Sequence, residues 1–349
     1  MIDLSKMSAA SPEIQTVRAD PGRSWERPAV LAIDAPPDDD TDPRPDARWP
    51  ADGLRTGICG SVTPRVIALP DGGYRMYYTQ ILPRVGFPAG ANDYDNASTR
   101  ILSAVSSDGE TWTPEPGARL LPRDGGAGEF RVVCGDVVPR ADLSGGLRMY
   151  YECCTGSQEI SNTIRSAVSE DGLVWSMETG ERFSGGAFSS PRIVFLEDGQ
   201  CRLYFYKRGL GIVSALSDDG GLTFSEEHGV RILPGKVYAA FAPEIMRLSD
   251  GGYVMYYAGY KGSCEAYILR ATSEDGLVWH KENTPTISPD RGTWDGTKCS
   301  EMCVFSLSPH VYGQDQRYCM VYEACDGTAI DRRGVWRIVS VTSVSGAST

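Results

Sequence analysis

Histidine is almost missing, with three in 349 residues. A nucleophile activated by an imidazole therefore has little to draw on, and His228, His280 and His310 are expected on outer strands or beside a turn, away from any site. Long apolar runs are also lacking. No stretch reaches the roughly 18 residues that a membrane-spanning helix requires, and the opening MIDLSKMSAASPEIQ has no apolar signal core, so a cytoplasmic protein without a membrane partner is expected. Basic charge is scarce, with 34 Lys and Arg against 46 Asp and Glu, and the net charge of -12 repels phosphate backbones. No nucleic acid partner is expected. The ten cysteines contain no CxxC: Cys153 and Cys154 are adjacent, and Cys299 and Cys303 are too isolated for a zinc site. They read as reduced, semi-apolar core residues, and the sequence calls for no metal or cofactor.

What is present fits one large globular domain spanning residues 1–349, with 41% hydrophobic and 23% charged residues. Helical periodicity is nearly absent, and a repeat takes its place. A glycine-rich turn followed by a strand ending in aromatics recurs as DGGYRMYY, SGGLRMYY, DGQCRLYFY, DGGYVMYY and, more loosely, DQRYCMVY, aligned on Met76, Met149, Leu203, Met255 and Met320. Between the copies lie SSDGETW, SEDGLVW, SDDGGLTF and SEDGLVW, in which Asp-Gly supplies a tight hairpin and the following Trp or Phe can pack between sheets. The third of these fits the Asp box of sialidases. Each repeat reads as strand A, a hairpin, strand B, a variable loop, strand C, an Asp-Gly hairpin and strand D. The fold expected is all-β: a five-bladed β-propeller of four-stranded antiparallel blades at about 54–122, 129–182, 187–233, 238–288 and 296–343. The last repeat lacks a D strand, and SWERPAVLAI at 24–33 resembles one, so the N-terminal strand is expected to close the ring and remove an exposed edge.

The irregular B–C loops, such as 81–96, 153–161 and 324–333, share one face with the starts of the A strands. Functional groups are expected there. Aligned, those starts bring Asp136, Glu244 and Glu301 together with Arg65 and Arg192 at one axial mouth, beside Thr63 and Ser190. Half-buried carboxylates held close together acquire separated pKa values, so the three are candidate acid–base groups. Arg65, Arg192, Thr63 and Ser190 are candidate substrate-binding groups for a small molecule. Two structural alternatives stay open: the carboxylates hold backbone N–H groups, axial water or a structural cation, and the arginines form ion pairs between blades, which a bulge at Pro64 or Pro191 would favour.

On the blade motifs and these A-strand starts, residues 24–343 resemble the five-bladed β-propeller glycosidase superfamily of arabinanases, β-xylosidases, invertases, levansucrases and mannoside phosphorylases. The resemblance implies cleavage or transfer of glycosyl units by carboxylates that begin the inner strands: an Asp in blade one, an Asp in blade two and a Glu in blade three. Asp136 matches the second. Thr63-Pro64 stands where the first is expected, and Ser190-Pro191 where the Glu is expected. Glu244 resembles a supporting carboxylate, but in blade four. Three functions follow: a glycoside-processing enzyme with relocated carboxylates, a propeller turned to a non-hydrolytic reaction such as a cyclisation or elimination in small-molecule biosynthesis, and a non-catalytic ligand-binding propeller.

Overall fold

The computed structural model describes residues 16–17, 19–40, 42–83, 97–123, 131–140, 145–154, 162–196, 199–307, 317–328 and 334–344. Loop segments 84–96, 155–161 and 329–333, and His310, lie outside them. Among the described residues there is no α-helix, and none long and apolar enough to cross a membrane.

Two N-terminal strands come first, β1 (Thr16–Val17) and β2 (Val30–Ile33). Antiparallel units follow in chain order. The first is β3 (Gly60–Ala68), β4 (Tyr74–Pro83), β5 (Ala97–Ser106) and β6 (Thr113–Pro114), and the second β7 (Arg131–Pro139), β8 (Leu147–Cys154), β9 (Asn162–Ser169) and β10 (Ser176–Met177), with β11 (Phe183–Gly186) also on β9. The third is β12 (Phe188–Phe195), β13 (Cys201–Lys207), β14 (Gly211–Ser217) and β15 (Ser225–Glu226). β16 (Ala239–Leu248), β17 (Tyr253–Lys261), β18 (Glu265–Ser273) and β19 (His280–Lys281) form the fourth. Last come β20 (Lys298–Ser306), β21 (Tyr318–Cys325) and β22 (Trp336–Thr342), with β2 antiparallel to β22 through Val30↔Ser340 and Leu31↔Val339. A single parallel pair, Ala266↔Lys298, joins the last two units into one sheet.

The repeated residues explain how the units pack. In each Asp-Gly hairpin, Asp108, Asp171, Asp219 or Asp275 accepts two backbone N–H bonds at 2.7–3.0 Å. The B strand of the preceding unit docks onto that hairpin: the hydroxyls of Tyr77, Tyr150 and Tyr204 donate to the carbonyls of Gly172, Gly221 and Gly276 at 2.9, 3.0 and 2.7 Å. Arg75, Arg148 and Arg202 reach the same turns while gripping Glu115, Glu178 and Glu227 of their own units with two bonds each. Such bidentate, partly buried pairs fix geometry as well as adding energy. Among the described residues no such hairpin follows the fourth unit, and the Tyr256 hydroxyl instead donates to Gly22 of the N-terminal segment at 2.5 Å. Trp25 bridges Ser343 on the same side. Buried Met, Tyr, Val and Cys side chains fill the space between units, and all ten cysteines are free, nine of them buried.

The inner strands β3, β7, β12, β16 and β20 neighbour one another in that order and return to β3. Each carries a bulge, shown by a register shift at Val62/Arg65, Cys134/Asp136, Ser189/Arg192, Phe241/Pro243 and Ser300/Met302. At three of them a non-glycine residue adopts the left-handed region: Thr63 (φ 52°), Ser190 (φ 55°) and Ala242 (φ 46°), each followed by proline. A β-branched threonine there is strained and persists only where its surroundings fix it. In the second unit the bulge falls on Gly135, where an added Cβ would lie 2.3 Å from Pro191 Cγ and 2.7 Å from the Tyr150 carbonyl, so only glycine fits.

Candidate active site

The bulges sort the inner-strand residues into two levels. Pairing with the B strands puts Thr63, Cys134, Ser190, Ala242 and Glu301 on one level, at the bulge or, for Cys134, just before it, and Arg65, Asp136, Arg192, Glu244 and Cys303 two positions further on. Asp136 is therefore level with Arg65 and Arg192, two places from the register with Thr63 that the aligned sequences suggest.

The deeper level is a buried ion cluster. Arg65 Nε lies 2.5 Å from Asp136 Oδ1, and its Nη1 lies 2.9 and 2.8 Å from the two Glu244 oxygens. Arg192 Nε donates to Glu244 Oε2 at 3.1 Å, and its Nη1 donates to the carbonyls of Gly135 and Pro191. Backbone N–H groups complete it: Val137 and Ile193 donate to Asp136 at 2.8 and 2.7 Å, and Val304 donates to Glu244 at 3.1 Å. Two carboxylates and two guanidiniums compensate one another here, all fully or nearly fully buried. Every lone pair and donor this cluster spends internally is one it does not offer a ligand.

Above it lies a cavity of about 430 Å³, a volume suited to one small molecule. Its walls include Thr63, Ser190 and Glu301 from the bulge level, but not Asp136, Glu244, Arg65 or Arg192. Two further glutamates line it, Glu152 and Glu323. They occupy one position of the repeat, three residues after Met149 and Met320 on β8 and β21, where the other units carry Thr79, Tyr206 and Ala258. The strained bulges face them: the N–H of Ser190 donates to Glu152 Oε1 at 2.6 Å, and the N–H of Thr63 donates to Glu323 Oε2 at 3.2 Å. Ser300 Oγ also donates to Glu323, at 2.6 Å, and receives a bond from the Tyr260 hydroxyl. Glu301, only 4% exposed, pairs with Arg192 Nη2 at 3.6 Å, and its Oε1 makes no hydrogen bond.

Electrostatics divide the three. Burial raises the Glu152 carboxyl to about 8, and the nearby Glu301 charge adds to this against the Ser190 N–H and the Arg192 and Arg131 guanidiniums. Burial likewise raises Glu323 to about 8, helped by Glu301 and opposed by Ser300, Thr63 and Lys298. Glu301 is raised by burial too, but the Arg192 guanidinium and then the Ser190 hydroxyl oppose the shift. Among the described residues it is the one of the three within ion-pair distance of a guanidinium. At neutral pH the cavity thus holds two protonated carboxyls beside the one best placed to carry the charge. Among the described residues no three His, Cys, Asp or Glu side chains are grouped so as to hold one metal ion.

A stability test follows from the signs. An ordinary glutamate titrates near 4.5, so between about 4.5 and 8 the folded chain holds protons that the unfolded chain has released, and this pair's contribution to stability is lost across that window. Glutamine at both positions removes that loss. The melting temperature of the Glu152→Gln/Glu323→Gln protein, relative to the native one, should climb from pH 5 to pH 8 and then level off. A difference independent of pH would mean that these carboxyls titrate normally.

No protein-family model and no curated protein matches the sequence. Solved structures do match in fold. A thermostable family-43 glycoside hydrolase superposes with a TM-score of 0.61 at 18% identity, covering 82% of this chain and 89% of its own. An endo-arabinase from Bacteroides thetaiotaomicron gives 0.58 at 15%, covering 90% and 97%. A family-117 glycoside hydrolase from Zobellia galactanivorans gives 0.62 at 15%, covering 93% and 92%. The chain has the fold of the propeller glycoside hydrolases.

Proposed function

We propose that this chain is a single-domain, five-bladed propeller, closed by β2 against β22, that processes glycosides of small molecules by carboxylate acid–base chemistry in the axial cavity. The observation that carries this is the convergence of three buried glutamates on one cavity, with burial raising Glu152 and Glu323 to about 8 and Glu301 against Arg192. In the hydrolytic step a protonated glutamate, Glu152 or Glu323, gives its proton to the leaving oxygen as the glycosidic C–O bond breaks. Glu301 takes a proton from the attacking water, whose oxygen bonds to the anomeric carbon. The sugar and the alcohol leave neutral, and one proton passes back from Glu301 to the acid through solvent. Thr63 and Ser190 shape this site by aiming N–H groups at Glu323 and Glu152, a positioning task alongside any contact with substrate.

A second reading draws support from the same two residues. Thr63 and Ser190 stand where the glycosidase resemblance implies an Asp and a Glu, and the carboxylates reach the cavity from other strands. A cyclisation or elimination would use the same proton donor and acceptor without water. Release of 4-nitrophenol from a panel of 4-nitrophenyl glycosides decides between them: at least one member is cleaved if the chain hydrolyses glycosides, and none if it only moves protons within a substrate.

A further inference from the structure

The cavity is two-sided, and the two sides use the same positions of the repeat. Three residues beyond the aligned Met or Leu, blades five, one and two present Glu323, Thr79 and Glu152, whereas blade three presents Tyr206. At the register position just before the bulge, blades three and five carry Ser189 and Ser300, whereas blade four carries Phe241. Aromatic residues thus gather on one side of the axis. The rings of Tyr206 and Phe241 lie 4.8 Å apart and those of Phe241 and Tyr260 5.9 Å apart, edge to face, with Phe188 lining the same cavity. Lys298 Nζ sits 5.9 Å from the Tyr260 ring and 5.1 Å from the Trp336 ring, tying the end of this wall to the fifth blade. Tyr260 spends its hydroxyl on Ser300 and offers the cavity mainly its ring.

A polyhydroxylated ring makes hydrogen bonds all round its edge. Among the described residues the carboxylate side supplies Glu152, Glu301, Glu323 and Ser190 for these bonds, while Thr79, Thr99 and Asn162 bond within the protein and Ser189 and Arg208 stand beside the rings. The ring faces on the opposite wall offer no such partners to the hydroxyls of a second sugar ring. A planar apolar group is what that wall can bury and stack. We infer that the cavity takes an amphipathic small-molecule glycoside, its sugar or polyol ring at Glu152, Glu301 and Glu323 and a flat, aromatic aglycone along Phe188, Tyr206, Phe241 and Tyr260. This specifies the substrate class of the proposed acid–base site and rests on that reading for the sugar half alone.

The test separates the halves by using 4-methylumbelliferone as the free aglycone probe, titrated calorimetrically into the native protein and variants. The native protein should bind it, Phe241→Leu should weaken binding about tenfold and Phe241→Ala more, since the ring contributes area and edge-to-face contact. Glu301→Gln should change it less than about twofold. Phe241→Leu nearly preserves volume and guards against simple misfolding of the alanine variant. Absence of binding to the native protein, or equal affinity in both Phe241 variants, overturns the aglycone assignment even if Glu301→Gln abolishes turnover. Phe241-dependent binding upholds it even if Glu301→Gln turns over glycosides at the native rate, an outcome that removes the acid–base reading instead.

Discussion

Glu301→Gln is expected to lower turnover of a cleaved aryl glycoside by about 10²–10⁴-fold, the usual contribution of a general acid or base, while the protein melts within a few degrees of the native form. The loss is large because Glu301 carries its charge against the Arg192 guanidinium at 3.6 Å and is the base of the proposed step. Glutamine keeps the shape and removes the charge. The small stability effect follows from what remains: Arg192 still holds Glu244 at 3.1 Å and the carbonyls of Gly135 and Pro191, and Glu152 and Glu323 lose a repulsive neighbour. Circular dichroism melts beside initial rates check both halves of the expectation.

Glu244→Gln should do the opposite. Its carboxylate is shared by Arg65 at 2.8 Å and Arg192 at 3.1 Å, and it also accepts the Val304 N–H. Removing that charge leaves the two buried guanidiniums with Asp136 and the more distant Glu301 as carboxylate partners among the described residues. Breaking one partner of a buried ion pair costs about 3–5 kcal/mol, so urea denaturation should show a loss of that order, large against the usual margin of domain stability. A Glu244→Gln protein with native stability and abolished turnover would instead return Glu244 to the catalytic set, where the sequence pattern alone puts it.

The difference between these two glutamates shows what was legible in the sequence. The DGGYRMYY and Asp-Gly motifs located the B strands and hairpins because their glycines and aromatics act locally. The pairing of residues 30–33 with β22 was legible for the same reason, since a repeat with one strand missing points to its replacement. The levels on the inner strands were not. They depend on bulges, and a bulge that puts Thr63 or Ser190 into the left-handed region runs against residue preference and is fixed by the tertiary contacts with Glu323 and Glu152. A one-residue insertion in each inner strand decides whether a carboxylate faces the cavity or the ion cluster. Glu152 and Glu323 escaped a search confined to the A strands, although a signal existed: both stand in the same Tyr-Glu-x-Cys pattern, as Tyr151-Glu152-Cys153-Cys154 and Tyr322-Glu323-Ala324-Cys325.

The account stands on proton transfer by the cavity glutamates, and the pH dependence of kcat/KM reports on it most directly, measured for the native protein, Glu152→Gln and Glu323→Gln on one cleaved glycoside. The native profile should fall on the alkaline side with an apparent pKa about 8, a value that belongs to the coupled cluster, as the acid loses its proton. Replacing whichever glutamate is the acid should flatten that limb and lower the plateau, and replacing the other should move it to lower pH or leave it in place. An alkaline limb unchanged in position and height in both variants would contradict the account.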